Sequence, residues 1–192
     1  NERLDELYIL GSTNLDELMI YDLNSLSLKN SLNWRSISSE EYEWSFVGNP
    51  LIVDEQRNYL YVGNEGGISV IDLKNREWKR LVSTSYHGLR KASAIDLAID
   101  KSQSYLFVLY NGQDYVSYID IINLNSMIIE RTIDLTRVDA VKRILVDPNA
   151  PYIYALYNEF SEVLYPKNFA RIRLDDNVVE WEWELNVPNA YQ

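Results

Sequence analysis

Short stretches in which apolar and polar residues alternate recur along the whole chain. Three of them are closely similar: LIVDEQRNYLYV at 51–62, LAIDKSQSYLFV at 97–108 and ILVDPNAPYIYA at 144–155. In each, an Asp ends an apolar run and an aromatic residue follows five positions later. These residues, Asp54, Asp100 and Asp147, are 46 and 47 positions apart. A repeat at nearly constant spacing indicates one structural unit that is used several times.

Further alternating stretches follow each repeat in the same order. ISVIDL at 68–73 matches VSYIDI at 116–121, and LMIYDL at 18–23 has the same shape. A last stretch completes each unit, at 25–32, 76–82, 126–133 and 178–185. Alternation with period two is typical of half-buried β-strands. Each unit therefore predicts four short antiparallel strands in about 47 residues, which are the length and content of one propeller blade.

The pattern predicts an all-β fold, a β-propeller or propeller arc of about four four-stranded antiparallel blades in one domain over residues 1–192. The units lie at approximately 1–34, 50–82, 96–135 and 143–187. Aligning Leu7-Tyr8-Ile9 with Leu60-Tyr61-Val62 puts Asn1 at the position of Asp54, so the first blade lacks its innermost strand. We expect an arc that belongs to a larger ring. Closure of four blades, or two such arcs joined into an eight-blade ring, is the alternative.

A known type of repeat is visible in one of these units. The run YLYVGNEGGISVIDLKNREWKRLV at 59–82 resembles the YVTN-type and broader WD-like β-propeller repeats, in which a Tyr-rich strand, a turn and a V-x-V-I-D strand follow in order. The Gly-His and Trp-Asp dipeptides of WD repeats are absent, and YVGN stands in place of Tyr-Val-Thr-Asn. The resemblance covers nearly the whole chain as a pattern. It implies the propeller fold and no particular function, because propellers host many functions.

The glycine-rich stretch VGNEGG at 62–67 could bind a phosphate or form a tight turn. A phosphate loop would be followed by a Lys, a Ser or Thr, and a helix, whereas the strand ISVIDL follows here. The equivalent position in the next unit is YNGQDY at 110–115. We therefore expect hairpin turns between second and third strands, with Gly supplying positive φ.

Charge and composition exclude several functional classes. The chain has 18 Lys and Arg against 29 Asp and Glu, for a net charge of -11. Such an acidic surface repels phosphate backbones, so we expect no nucleic-acid partner. The absence of Cys and the single His argue against thiol catalysis and zinc sites. The longest apolar run, at 105–110, is far shorter than the roughly 20 residues that span a bilayer, so we expect no membrane insertion.

The start of the chain bears on its processing. It begins at Asn1 and not at Met. We therefore expect a processed or excised piece from which a targeting segment has been removed. The compartment is not specified by any signal in the sequence.

The repeated acidic residues invite a metal-binding or acid–base interpretation. However, Asp54, Asp100 and Asp147 each precede a turn rich in Asn, Gln, Ser or Pro, where the carboxylate can accept hydrogen bonds from the turn's own amides. Repetition favours this structural role, since a catalytic site needs different residues in different roles. The same interpretation applies to the acids late in the third strands, Asp22, Asp72 and Asp120. We expect no catalytic residue, no metal site and no cofactor.

The links between units are the better candidates for function. His87 and Arg90 lie in the link STSYHGLRKASA at 83–94; the His is a candidate base or pH switch, or both residues are simply solvated. Two other links, at 33–50 and 158–169, are longer than the fold requires. They carry aromatic residues among charged ones, namely Trp34, Tyr42, Trp44, Phe46, Phe160, Tyr165 and Phe169. Such residues are typical of protein-recognition surfaces, or else cap the blade ends as satellite core.

The sequence favours a non-catalytic protein-interaction scaffold that presents propeller loops to a protein partner. The partner-binding candidates are Trp34, Tyr42, Trp44, Phe160, Tyr165, Phe169, His87 and Arg90. The alternative is a propeller enzyme or small-ligand binder, hydrolase-like or lactonase-like, with its site in the central channel. We expect a protein partner or the remaining propeller blades, and a homo-oligomer formed through exposed blade edges is a further candidate.

Overall fold

The computed structural model describes residues 5–10, 17–33, 50–64, 67–83, 92–100, 102, 104–111, 117–135, 141–157, 168–176 and 179–184. These residues form fifteen β-strands, arranged in four sheets. Blade 1 contains β1 (Glu6–Leu10), β2 (Glu17–Asp22) and β3 (Leu28–Asn33). Blade 2 contains β4 (Leu51–Asp54), β5 (Tyr59–Asn64), β6 (Gly67–Asp72) and β7 (Glu77–Ser83). Blade 3 contains β8 (Ser93–Ile99), β9 (Tyr105–Asn111), β10 (Ser117–Asn123) and β11 (Ile128–Asp134). Blade 4 contains β12 (Val141–Val146), β13 (Tyr152–Tyr157), β14 (Asn168–Arg173) and β15 (Val179–Glu184).

Each blade is an antiparallel meander in which strands pair in the order of the sequence. Blade 1 has three strands among the described residues, and the other blades have four. The first strands of neighbouring blades contact each other, β4 with β8 and β8 with β12, so they lie side by side along the chain of blades. The predicted all-β propeller arc with an incomplete first blade is confirmed.

The same backbone hydrogen bond closes every blade. It joins the amide that follows the third strand to the carbonyl that precedes the second strand, as in Leu73 N to Asn58 O at 2.9 Å. The equivalent bonds are Leu23 N to Asp5 O, Leu124 N to Ser104 O, and Leu174 N to Pro151 O, at 2.8–2.9 Å. Four copies of one bond at one position show that the four units are the same structure.

The turns between third and fourth strands place a non-glycine residue in the left-handed region. Leu26, Arg76 and Met127 have φ values of 53°, 56° and 56°. Because this residue still belongs to the turn, the fourth strands of blades 2 and 3 and β3 of blade 1 begin one to three residues later than the alternating pattern predicts.

Three apolar cores lie between the blades. Tyr8, Leu18 and Ile20 of blade 1 pack against Leu60 and Val62 of blade 2. The next core joins blades 2 and 3, and includes Tyr61, Ile68, Val70, Leu106, Val108 and Tyr110. The last joins blades 3 and 4, and includes Phe107, Leu109, Ile119, Ile153, Ala155 and Ile172. Each internal blade is therefore buried on both faces, which explains why β5, β6, β9 and β10 are almost continuously apolar and buried.

The structure corrects the alignment of Asp120 with Asp72. Asp72 pairs with Tyr59, whereas the residue that pairs with the equivalent Tyr105 is Asn123. Two residues separate β5 from β6, but five separate β9 from β10, and this three-residue difference shifts the register along the sequence. Asp120 therefore lies inside the third strand and is fully buried. It accepts a hydrogen bond from Thr132 Oγ1 at 2.6 Å and does not cap the following turn.

The role expected for the glycines of 62–67 also needs a correction at Gly63. This residue lies within β5 and is not in the left-handed region. A Cβ added there would lie 2.8 Å from Ala94 Cβ and 2.8 Å from Pro50 Cγ. Gly63 is thus required by close approach of the next blade and of the incoming chain. Gly66 and the corresponding Gly112 lie outside the described residues.

Candidate functional site

The chain enters and leaves its longest links at one end of the blades, which we call the link end. Asn64 pairs with Gly67, and Gly67 with Ser83, so the hairpin and the exit of blade 2 share that end. Gly63 N donates to Pro50 O at 2.9 Å, which brings the entry of blade 2 there too. The links at 34–49, 84–91 and 158–167 are attached to described strand ends at this end of their blades. The described residues at the opposite end, the turn end, form short turns.

Most of the predicted partner-binding residues belong to these three links. Trp34, Tyr42, Trp44, Phe46, His87, Arg90, Phe160 and Tyr165 lie outside the described residues. Phe169 is described, and it lies in β14 and not in the link. Its ring contacts that of Tyr154 edge-on, with centroids 6.3 Å apart and planes at 67°. Phe169 therefore lies on the face of blade 4 that points away from blade 3.

Buried polar side chains brace the bases of the hairpins at the link end. Asn64 is fully buried, and its Nδ2 donates to Val62 O at 3.2 Å and to Ser69 Oγ at 2.7 Å. In blade 3, Ser117 Oγ donates to Asn111 Oδ1 at 2.7 Å. Sequence analysis missed these residues; an Asn or Ser beside a predicted hairpin was the available signal.

One of these networks reaches the next blade. Asn111 Nδ2 donates to Val141 O at 3.3 Å, and Val141 N donates to Ser117 Oγ at 3.4 Å. The first residue of β12 is thereby tied to the hairpin of blade 3. Hydrogen bonds as well as packing therefore fix the hairpin bases of blades 2 and 3 and the start of β12 at the link end.

The repeated acids at the turn end cap their own turns, as predicted. Asp54 Oδ1 accepts from Arg57 N at 3.0 Å. Asp100 Oδ1 accepts from Ser104 N and Tyr105 N, both at 2.7 Å. Asp147 Oδ1 accepts from Asn149 N at 2.8 Å and from Ala150 N at 3.2 Å. One carboxylate oxygen in each of these blades is therefore committed to the backbone.

Asp22 and Asp72 cap the second set of turns in the same way. Asp22 Oδ1 accepts from Ser25 N at 2.8 Å, and Lys29 Nζ lies 3.1 Å from Oδ2. The hydrogen bond from the Ser25 amide has the largest effect on the pKa of Asp22, and the bond from Lys29 has the next largest. They lower this pKa to about 2. At Asp72, burial acts to raise the pKa, but hydrogen bonds from Asn75 N and from Lys79 outweigh it and lower the pKa.

Charged side chains also join neighbouring blades. Asp96 on β8 accepts from Ile144 N at 2.8 Å and from Arg143 Nη1 at 3.2 Å, which links the first strands of blades 3 and 4. Arg76 Nη2 of blade 2 donates to Glu6 Oε1 of blade 1 at 3.2 Å. Sequence analysis did not single out these residues, because each pair is brought together from different repeats.

A groove of about 490 Å³ lies at the turn end between blades 3 and 4. Its lining includes Tyr105, Phe107, Pro148, Pro151, Asp100 and Asp147. Both carboxylates accept hydrogen bonds from the amides of their own turns. The groove therefore has apolar walls and two carboxylates that are already hydrogen-bonded. It lies between two adjacent blades.

The described part of the chain holds no cluster of three or more His, Cys, Asp or Glu side chains that could bind a metal ion. Within the same ranges, no helix has the length and apolarity that a membrane crossing requires.

Comparison with known proteins supports the fold alone. No protein-family model and no curated protein matches the chain. Among solved structures, the chain is similar to the hydrazine synthase of Kuenenia stuttgartiensis, with a TM-score of 0.71 and 14% identity over 94% of this chain and 46% of that one. It is similar to Saccharomyces cerevisiae Sqt1, with a TM-score of 0.68 and 11% identity over 95% and 46%.

A third similar structure is the dihydro-heme d1 dehydrogenase NirN in complex with DHE, with a TM-score of 0.62 and 12% identity over 93% of this chain and 35% of that one. The chain thus spans less than half the length of each of these three proteins. Identities of this size carry the fold and no activity.

Proposed function

We propose that the chain is a non-catalytic interaction scaffold, in which braced blades present the links at 34–49, 84–91 and 158–167 to a protein partner. We also assign the blades to the YVTN-type and WD-like repeats, because the run at 59–82 resembles them. We treat residues 1–192 as one domain. The observation that carries the proposal is that all three links attach at one end of the blades, and that every aromatic candidate except Phe169 falls in them.

Loop length differs between the two ends of the blades. The links at 34–49, 84–91 and 158–167 have 16, 8 and 10 residues, whereas four residues separate Asp54 from Tyr59 at the turn end. Hairpin turns need only two to five residues, and loops longer than about 12–15 residues in compact domains, as at 34–49, are usually functional or linker segments. The additional chain length is therefore concentrated on the surface that we assign to the partner.

The residue types in the links suit a protein partner. Trp34, Tyr42 and Trp44 lie among Glu40, Glu41 and Glu43 in one link, and Phe160 and Tyr165 lie beside Glu159 and Glu162 in another. Aromatic side chains with a charged rim are the usual anchors of protein interfaces. The acidic rim favours a partner with a basic surface.

The repeated Asp side chains accept hydrogen bonds from their own turns, and this structural role favours a scaffold over an enzyme. Asp54, Asp100 and Asp147 hold turns in three successive blades. A catalytic centre needs different side chains that converge on one point. The groove between blades 3 and 4 supports the second candidate, a small-ligand binder or hydrolase-like enzyme, because it combines aromatic walls with two carboxylates.

The test is site-specific photocrosslinking in extracts of the cells that make the chain. The photoreactive residue p-benzoylphenylalanine is placed at Tyr42, Trp44 or Tyr165, and at Lys74 or Asn149 as turn-end controls. The proposal predicts one discrete protein adduct at the three link positions and none at the controls. Adducts at the turn end alone, or at no position, would contradict it.

The captured partner is then purified and titrated against variants. Trp44→Ala and Tyr165→Ala should weaken binding about tenfold or more, as expected for aromatic anchors, and Lys74→Ala should leave binding within about twofold. In parallel, the purified chain is assayed on a panel of esters and lactones. Turnover that survives repurification would favour the enzyme.

A further inference from the structure

The two terminal blades each leave one sheet face without a neighbouring blade among the described residues. The head face is the side of blade 1 that carries Leu7, Ile9, Met19 and Tyr21, and the tail face is the side of blade 4 that carries Tyr154, Leu156 and Phe169. Each face is equivalent to a sheet face that is covered by a neighbouring blade elsewhere in the chain. The three interfaces between neighbouring blades therefore show which residues pack against such a face.

The head face has the residues of a buried interface. Leu7 and Ile9 are 40% and 39% exposed. Their equivalents in the other blades are fully buried against the preceding blade: Leu60 and Val62, Leu106 and Val108, Ile153 and Ala155. The apolar pair is retained in blade 1, where no blade among the described residues packs on it.

The tail face is likewise equivalent to sheet faces that are covered by a neighbouring blade in blades 1 to 3. Tyr154 is half-buried, whereas its equivalents Tyr8, Tyr61 and Phe107 are buried against the following blade. Leu145, on the same face of β12, is 57% exposed. Blade 4 therefore ends in a surface that, in the three preceding blades, packs against a further blade.

The three internal cores also define which positions meet. The aromatic residue at the Tyr154 position always shares a core with the aliphatic pair of the next blade. Tyr8 packs with Leu60 and Val62, Tyr61 packs with Leu106 and Val108, and Phe107 packs with Ile153 and Ala155. By the same geometry, the tail face with Tyr154 accepts a blade that presents Leu7 and Ile9.

Charge adds to this match. Arg171 takes the position of the buried Val70 and Ile121, and its guanidinium lies 4.6 Å from the centre of the Tyr152 ring. The head face carries Glu17, on the same side of β2 as Met19 and Tyr21. Each of the two faces therefore carries a charge opposite in sign to that of the other.

We propose that the tail face of one chain binds the head face of a second copy, and that the reciprocal contact closes a two-fold ring of eight blades. The occupant of each face is thus the terminal blade of the other copy, packed as blades 1 to 4 pack among themselves. Eight blades lie within the range of known closed propellers, and two identical head-to-tail junctions satisfy every terminal face.

The experiment measures the mass of the full chain in solution by light scattering during size-exclusion chromatography, at protein concentrations from low to high micromolar. The proposal predicts about 45 kDa, twice the 22.5 kDa of one chain. Ile9→Glu on the head face and Leu156→Lys on the tail face should each give a monomer. Ile128→Glu, at an exposed outer-strand position of an internal blade, should remain dimeric.

Mixing the two charged variants distinguishes a lost junction from a lost fold. The Ile9→Glu chain keeps a native tail and the Leu156→Lys chain keeps a native head, and the second junction pairs Glu with Lys. An equimolar mixture should therefore recover about 45 kDa. If either variant loses its β-sheet circular dichroism, Leu7→Glu or Leu145→Lys replaces it.

Three results would overturn the proposal. The first is a folded wild-type monomer at every concentration. The second is an open series of larger oligomers, which would show that the junction does not close a ring. The third is a dimer that survives both charged variants, or a mixture that stays monomeric, since the contact would then use another surface.

Discussion

Tyr61 Oη donates a hydrogen bond to Asp54 Oδ2 at 3.1 Å, and both residues are fully buried. The bond joins the second strand of blade 2 to the turn that precedes it. Blade 4 repeats the bond with Tyr154 and Asp147 at 3.2 Å. In blade 3, Phe107 takes the place of the tyrosine, and the hydroxyl of Ser102 bonds Asp100 Oδ2 instead.

We predict that Tyr61→Phe lowers the free energy of unfolding by about 1–2 kcal/mol, because a buried carboxylate loses one of its partners. Tyr154→Phe is the matched control. Its bond is equivalent but less buried within one chain, so in the monomeric Ile9→Glu background the loss should be smaller than that of Tyr61→Phe. Urea denaturation followed by circular dichroism measures both. No loss at Tyr61 would show that the hydroxyl bond does not stabilise the turn, and equal losses would show that burial does not set the size of the effect.

A second prediction concerns the contact between blades 2 and 3 at Gly63. The Gly63→Ala change should cost about 1–3 kcal/mol, because the new methyl group overlaps Ala94 Cβ and Pro50 Cγ. The double variant Gly63→Ala with Ala94→Gly should recover part of that loss, and a double-mutant cycle measures the recovery. Strictly additive losses would mean that the two positions are not in contact.

The repeat and its strands could be predicted from sequence, because period-two alternation and the recurring Asp are local signals. The role of Asp54, Asp100 and Asp147 was predictable for the same reason. The position of Asp120 was not, since it depends on three additional residues in a hairpin that shift the register. The need for Gly63 was also hidden, because it arises from Ala94, a residue of the next repeat.

The sequence predicted which links carry the candidate site, but it did not predict which residues contact each other at the bases of the hairpins. Aromatic residues among charges in long links are visible in the sequence, and antiparallel topology then places the ends of those links together. The polar braces at Asn64 and Ser117 were missed, because Asn and Ser beside a turn have many roles. Interblade pairs such as Asp96 with Arg143 join residues that are 47 positions apart. A local sequence pattern cannot predict such a pair.

A third prediction is the titration of Asp22. The pKa of this carboxyl should be about 2, because the Ser25 amide and Lys29 stabilise the charged form. Lys29→Met should raise that pKa but leave it below the usual 3.8, since the Ser25 amide has the larger effect. Lys79→Met, in the corresponding turn of blade 2, should leave it unchanged.

The sign of the stability effect follows from the direction of this shift. The folded-state pKa lies below the unfolded value, so the carboxylate stabilises blade 1 above about pH 4, and the stabilisation is lost as pH falls through about 2. Carboxyl chemical shifts recorded by NMR between pH 1.5 and 6 measure the titration. A midpoint near 3.8 in the wild-type chain would refute the capping role.

A fourth prediction concerns Asp96, which joins the first strands of blades 3 and 4. Asp96→Ala should cost about 1–3 kcal/mol, because Ile144 N loses its acceptor. Asp96→Asn should recover much of this, since its amide oxygen can accept the same bond. Arg143→Ala should cost less than about 1 kcal/mol, because that side chain is 63% exposed. Chemical denaturation compares the three, and a larger loss for Arg143→Ala would reverse the assignment.

The central claim is that the link end binds a protein partner, and hydrogen–deuterium exchange of the complex with the crosslinked partner tests it most directly. The account predicts slower exchange in peptides that cover 34–49, 84–91 and 158–167. Peptides that cover the turns at 54–59, 72–77 and 147–152 should exchange as in the free chain. Protection confined to those turns, or to the first strands β4, β8 and β12, would contradict the claim.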